Sequence, residues 1–371
     1  MRLLFILLII FLYNLCSFAE IKLIKFDYQK IIGVQVFNLS KEYYKNLDYY
    51  FKTLKSKGVN AVFIRVFQNK GDRYHYGIKS ICESGVYFKT DQACTVYDIL
   101  PEFIEYGKKY NIKIFAWMGT RKLTFFIDKY GVSETFKLNK VSKRVGYGAD
   151  VFRKEVYNDL KNLFLDLAKY EIDGVLLQDD FILRIDESSS VFTLNNFNTD
   201  YDVYLDGELN VNEIPDLFFS WKTEALSDLL NDIKWDMKKI NPKLKFAVNI
   251  YYETLIDKKK GERWYGQSIE NYNKKGFSYF ANMLYSEQVK KEMNFNNKEY
   301  LSFLDNTLKK WTNLLDNAHR FIAKIQIRRF DNKQPIDKKF FNNVCNLVKK
   351  YDVSYILVPF ENLDDLEYIC N

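Results

Sequence analysis

Histidine is almost missing from this chain: in 371 residues there are two, His75 and His319. A histidine-rich metal centre therefore has no ligands to build from, and no metal or cofactor is expected. Cysteine is also scarce, five in all, and none of the spacings resembles a zinc site. No glycine-rich phosphate loop is present. No apolar stretch reaches the ~20 residues of a membrane span. The longest, 3–13, follows basic Arg2 and precedes Ser17-Phe18-Ala19, which together form a secretory signal peptide over residues 1–19. Cys16 lacks the small preceding residues that lipid attachment needs, since Tyr13, Asn14 and Leu15 stand there. The expected mature chain, 20–371, is periplasmic or secreted, without a stable membrane span and monomeric. No large excess of charge is present either. The net charge of +7 comes from lysines scattered over the whole chain, so no nucleic-acid stripe is expected. No linker, low-complexity tract or short repeat divides the sequence.

What is present is a core. Hydrophobic residues make up 47% and aromatics 17%, enough for a large interior. Four cysteines remain after the signal, an even number in an oxidising compartment. Three pairings are possible; Cys82 with Cys94 and Cys345 with Cys370 are favoured because each closes a local loop.

Apolar runs at 31–37, 61–67, 112–118, 175–177, 245–250, 276–284, 323–327 and 354–358 read as eight strands. Between them lie amphipathic helical patterns at 41–57, 96–110, 152–169, 218–240, 300–321 and 335–351. Strand alternating with helix at this spacing means parallel pairing, and eight such units predict a single-domain (β/α)8 barrel with long loops at 68–95 and 119–150.

In such barrels the chemistry sits where strands end. The candidates there are Arg65, Gln68, Trp117, Asp179, Asp180, Asn249, Tyr251, Tyr285, Glu287, Gln326, Arg328 and Glu361. Carboxylates, amides and aromatics without a histidine or cysteine nucleophile suit glycoside hydrolysis: one carboxylic acid protonates the leaving oxygen and aromatic faces stack on sugar rings. Each has a plainer role open to it. Asp179 can cap a helix with Asp180 solvated, Trp117 can be core, and Arg65 can be an interior ion-pair partner. Alternation along the fourth strand sets Leu176, Gln178 and Asp180 on one face and Leu177 and Asp179 on the other. Asp180 is the expected general acid, with Asp179 second. Chitinase-type barrels carry D-G-x-D-x-D-x-E on this strand, and laying that pattern on Asp173-Gly174 also puts Asp180 in the acid's place, although Leu176 and Gln178 replace two aspartates.

The following loop is acidic. From Glu171 to Asp216 there are twelve carboxylates and one basic residue, Arg184. Asp200, Asp202 and Asp206 are expected on the rim of the site, where they would attract cations. The spacing of these three with Glu208 also admits calcium, though the glycine placement does not fit an EF-hand.

D-G-V-L-L-Q-D-D at 173–180 and I-K-I-F-A-W-M at 112–118 resemble the C-terminal glycoside hydrolase domain of the periplasmic poly-β-1,6-N-acetyl-D-glucosamine deacetylases, the PgaB family. V-Y-F-K-T (86–90), E-R-W-Y-G-Q (262–267), N-M-L-Y-S-E (282–287) and K-I-Q-I-R (324–328) are similar as well, in the family's order and over nearly the whole mature chain. The resemblance implies a barrel that binds and cleaves partially deacetylated poly-β-1,6-N-acetylglucosamine, with the family's D-D pair at Asp179 and Asp180 and its Tyr and Glu at Tyr285 and Glu287. Two positions depart: Leu284 stands for a common proline and Gln178 for a common histidine. Only about a dozen residues separate the signal from the first strand, so deacetylase activity is not expected. A non-catalytic polysaccharide-binding or export module, and a glycosidase of another aminosugar polymer, are the alternative readings.

Overall fold

The computed structural model describes residues 28–72, 76, 78–138 and 142–370. The expected signal peptide, 1–19, and His75 lie outside them. Eight strands form a closed barrel: β1 (Ile32–Val36), β2 (Ala61–Arg65), β3 (Lys113–Met118), β4 (Gly174–Leu177), β5 (Lys245–Ile250), β6 (Tyr279–Leu284), β7 (Phe321–Gln326) and β8 (Ser354–Phe360). Every neighbouring pair is parallel and β8 returns to β1. The (β/α)8 architecture is as expected. Its strands read as unbroken apolar runs because both faces are covered: all residues of β2, β4 and β8 are buried.

Inward side chains fill the barrel rather than leaving a pore. Phe63 and Phe115 stack with ring centroids 4.6 Å apart, and Tyr279 meets Phe115 edge-on at 6.1 Å. Gly174 makes room for them, since a Cβ there would come within 2.4 Å of Phe115 Cε1. The Asp173-Gly174 pair is thus structural: Asp173 Oδ2 accepts from the Ile114 N–H at 2.8 Å where β3 starts.

Some helices differ from the sequence pattern. The segment 41–57 is two helices, Lys41–Lys45 and Leu47–Ser56, because the Asn46 side chain accepts from the Tyr49 N–H and starts the second. Leu100–Tyr110 begins later than expected because the Val96 N–H is bonded to Val86 O. Helix Val191–Tyr201 inside the acidic loop was not foreseen; its signal is Ser190, whose hydroxyl caps the Thr193 N–H.

Both favoured disulfides form, Cys82–Cys94 and Cys345–Cys370, with Cα separations of 6.0 and 5.2 Å. The first braces the 68–95 loop. The 119–150 and 181–215 loops share a second apolar cluster, in which Phe136, Phe197, Phe218 and Trp221 pack together. Among the described residues no helix is long and apolar enough to cross a membrane.

Candidate active site

The C-terminal ends of the strands open into a cleft of about 480 Å³. Its apolar wall comes from Phe37, Phe67, Trp117 and Phe330; its polar lining includes Gln35, Arg65, Asp72, Lys122, Gln178, Asp179, Tyr285 and Lys324. Trp117 lies against Phe37 at 4.7 Å and meets Phe67 edge-on at 5.9 Å, while its indole N–H donates to Gln178 Oε1. This fixes the ring at the mouth of the barrel.

The paired aspartates separate. β4 ends at Leu177 and Asp179-Asp180 form a turn, so strand alternation stops before it reaches them. Asp179 lines the cleft, and among the described residues no side chain or backbone N–H donates to its carboxylate. Asp180 does not line the cleft and is 3% exposed. The Thr120 N–H donates to both of its oxygens at 3.1 and 3.0 Å, the Thr120 hydroxyl at 2.6 Å and the Lys122 N–H at 2.9 Å. Burial pushes the Asp180 carboxyl above its ordinary value, and those hydrogen bonds oppose the rise. The expectation that Asp180 faces the substrate is therefore corrected in geometry: the chain turn buries it, where it pins the loop after β3 to the end of β4.

Of the other strand-end candidates, Arg65, Trp117 and Tyr285 line the cleft with Asp179. Arg65 pairs with Asp72 of the 68–95 loop and lies over the Phe67 ring at 4.3 Å. Burial first, then the Asp179 charge, pushes the Tyr285 hydroxyl well above its ordinary value. Asn249 lies just beneath: its Nδ2 donates to Leu177 O and its Oδ1 accepts from Lys324 Nζ, both at 2.8 Å. Glu287 and Glu361 are not on the cleft. Glu287, at the start of helix Ser286–Met293, pairs with Lys290 at 2.6 Å and Arg329 at 3.0 Å, and Glu361 pairs with Lys333 at 3.3 Å.

The strand-end selection missed Lys324, Gln35 and Asp72. Lys324 had a readable signal, a lysine alternating with apolar residues inside a buried strand, F-I-A-K-I-Q. Burial pushes its ammonium down to about 8, with the Asp179 charge acting the other way. Asp72 had none, because its place is set by the Arg65 pair.

The acidic loop does not form the expected rim. Asp200, Asp202 and Asp206 do not line the cleft. Asp200 accepts from Trp221 Nε1 at 2.7 Å, Asp202 ends a helix, and Asp206 accepts from the Glu208 N–H at 2.9 Å. Much of the remaining charge is cancelled by cations remote in sequence: Asp186 by Arg144 at 2.5 Å, Glu187 by Arg121 at 2.8 Å, Glu208 by Lys143 at 2.7 Å, and Asp216 by Arg263. Among the described residues no group of His, Cys, Asp and Glu converges as metal ligands, so the calcium reading of this loop finds no geometry. The triple exchange of Asp200, Asp202 and Asp206 for Asn is expected to leave binding of a deacetylated, cationic glucosamine polymer unchanged in a low-salt titration; weakened binding would restore the rim.

A family model described as hypothetical glycosyl hydrolase family 13 matches residues 38–356. A search of the curated proteins found no match. Among solved structures, the glycoside hydrolase domain of PgaB (BpsB) from Bordetella bronchiseptica superimposes with a TM-score of 0.70 at 18% identity, covering 90% of this chain and 95% of that one. The endo-1,4-beta-mannanase of Rhizomucor miehei gives 0.53 at 12% identity, with 91% and 88% covered. The endo-beta-1,4-mannanase of Thermotoga petrophila gives 0.53 at 12%, with 89% and 67% covered. At these identities the likeness is one of fold.

Proposed function

We propose, from the premise that this chain belongs to the hypothetical glycosyl hydrolase family 13, that it is an endo-acting glycoside hydrolase of a 2-acetamido-sugar polymer. Poly-β-1,6-N-acetyl-D-glucosamine is the substrate type to try first. The fold likeness to a PgaB glycoside hydrolase domain supports that choice. The observation that carries the reading is Asp179: a carboxylate at the C-terminal mouth of the barrel, on an aromatic-walled cleft and without a donor among the described residues.

In this reading Asp179 is the general acid, and a proton passes from it to the glycosidic oxygen as the C1–O bond breaks. The nucleophile comes from the substrate. The other carboxylate on the cleft, Asp72, is occupied by the Arg65 guanidinium and by the Asn69 N–H at 2.8 Å. The acetamido carbonyl oxygen attacks C1, with the Tyr285 hydroxyl orienting it, and a cyclic oxazolinium forms. Water then adds at C1 as the oxazolinium C1–O bond breaks and the acetamide is restored, and Asp179, now a carboxylate, takes the proton that water releases. Trp117 and Phe37 supply the apolar face for the sugar.

Incubation with fully acetylated and partially deacetylated poly-β-1,6-N-acetylglucosamine, beside α-linked galactosaminoglycan, is expected to give a ladder of oligosaccharides from the β-1,6 polymers. Binding without any product, seen by mass spectrometry, would instead make the chain a polysaccharide-binding module. Cleavage of the galactosaminoglycan alone would move the substrate.

A further inference from the structure

The floor of the cleft holds two buried polar groups whose partners the protein leaves incomplete. Lys324 of β7 is 2% exposed and gives one hydrogen bond, to Asn249 Oδ1 at 2.8 Å. Among the described residues it makes no ion pair, and Asp179, on the same cleft, stays beyond ion-pair distance. Gln35 of β1 is 0% exposed, and among the described residues neither its amide nitrogen nor its amide oxygen has a partner. An ammonium with one acceptor for its three N–H groups and a primary amide with no partner are costly to hold away from water, and both line the cleft. Lys122 is a second lining cation that makes no ion pair among the described residues, its ammonium 4.4 Å from the centre of the Tyr147 ring. The whole lining holds four cationic side chains and two carboxylates; Arg65 is paired with Asp72 and Lys70 with Glu83, which leaves Lys122 and Lys324 beside the single carboxylate of Asp179.

The donors therefore outnumber the acceptors where the sugar sits. We propose that this floor is a subsite for a sugar carboxylate, which accepts hydrogen bonds from Lys324 Nζ and the Gln35 amide and lies in the field of Lys122 and Arg65. The carboxylate can be the C6 group of a uronate or the free acid end of a dicarboxylic acyl substituent. A glucosamine ammonium in the same place would face Lys324 directly. The inference rests on the hydrolase reading and narrows its substrate: the unit seated on this floor is acidic rather than aminated.

The test is equilibrium binding of the full chain to thioglycoside-linked oligomers, which cannot be cleaved, so its result is independent of the product ladder above. Four arms are compared at low salt: neutral β-1,6-linked N-acetylglucosamine, the same oligomer carrying succinyl half-esters, its partly deacetylated form, and an alternating uronate–N-acetylhexosamine oligomer. One acidic arm is expected to bind at least about tenfold more tightly than the neutral one, and which arm does so identifies the source of the carboxylate. The preference is expected to collapse in Lys324→Met, with folding checked by circular dichroism, and to shrink in Lys122→Met, which serves if the first variant does not fold. Equal binding of the neutral and acidic arms, or tightest binding of the deacetylated arm, overturns the inference. A product ladder accompanied by equal binding overturns the inference alone; acidic preference with no cleavage of any polymer, the O-linked form of the preferred acidic oligomer included, overturns the hydrolase reading alone.

Discussion

Asp179→Asn is expected to lower kcat/KM by a factor of about 10² to 10⁴ while leaving the melting temperature unchanged. The amide keeps the shape of the side chain but has no acidic proton for the leaving oxygen, and among the described residues no hydrogen bond is lost because none reaches that carboxylate. The matched variant is Asp180→Asn. Its new NH₂ would face the Thr120 N–H or the Lys122 N–H, donor against donor, in a site that is almost fully buried. That change is expected to lower stability first and activity through misplacement of its neighbour. Steady-state kinetics on both variants, with thermal melts alongside, separates the two roles. Wild-type turnover in Asp179→Asn with loss in a stably folded Asp180→Asn would reverse the assignment.

Arg121→Met is expected to destabilise the chain by about 3–5 kcal/mol, the range for breaking a buried ion pair by removing one partner. The guanidinium is fully buried. It donates to Ala149 O at 2.8 Å, Ser133 Oγ at 3.0 Å, Gly148 O at 3.3 Å and Glu187 Oε1 at 2.8 Å, and also reaches Ile182 O. These bonds stitch the loop after β3 to the loop after β4, on either side of Asp179. Burial alone would raise the Glu187 carboxyl, but Arg121, with hydrogen bonds from Arg121, Ser133 and the Arg184 N–H, outweighs it and holds the group down at about 2. Removing the guanidinium leaves the buried carboxylate with Arg184, at 3.3 Å, as its remaining cation among the described residues. Equilibrium unfolding in urea, read as a lower midpoint at unchanged slope, measures the effect. A loss of less than about 1 kcal/mol would give the pair no more value than a surface ion pair.

Much of the barrel was legible in the sequence because its determinants are local. A strand covered on both faces must be apolar throughout, so A-V-F-I-R and G-V-L-L announce themselves, and helical spacing between such runs dictates parallel pairing. The two disulfides were legible for the same reason, since each closes a short loop. Within the site, Arg65, Trp117 and Tyr285 could be placed because a strand end fixes where a side chain emerges.

Tertiary structure alone decided the rest. Which aspartate of the pair faces the cleft depends on where β4 stops, and the turn at Asp179-Asp180, held by Thr120 and Lys122 from another loop, overrides the alternation that pointed to Asp180. The charge of the acidic loop depends on Arg121, Arg144 and Lys143, cations that the chain supplies from a separate excursion. A carboxylate's position in sequence says that it is charged; only its three-dimensional partners say whether that charge is spent inside the protein or left for a substrate.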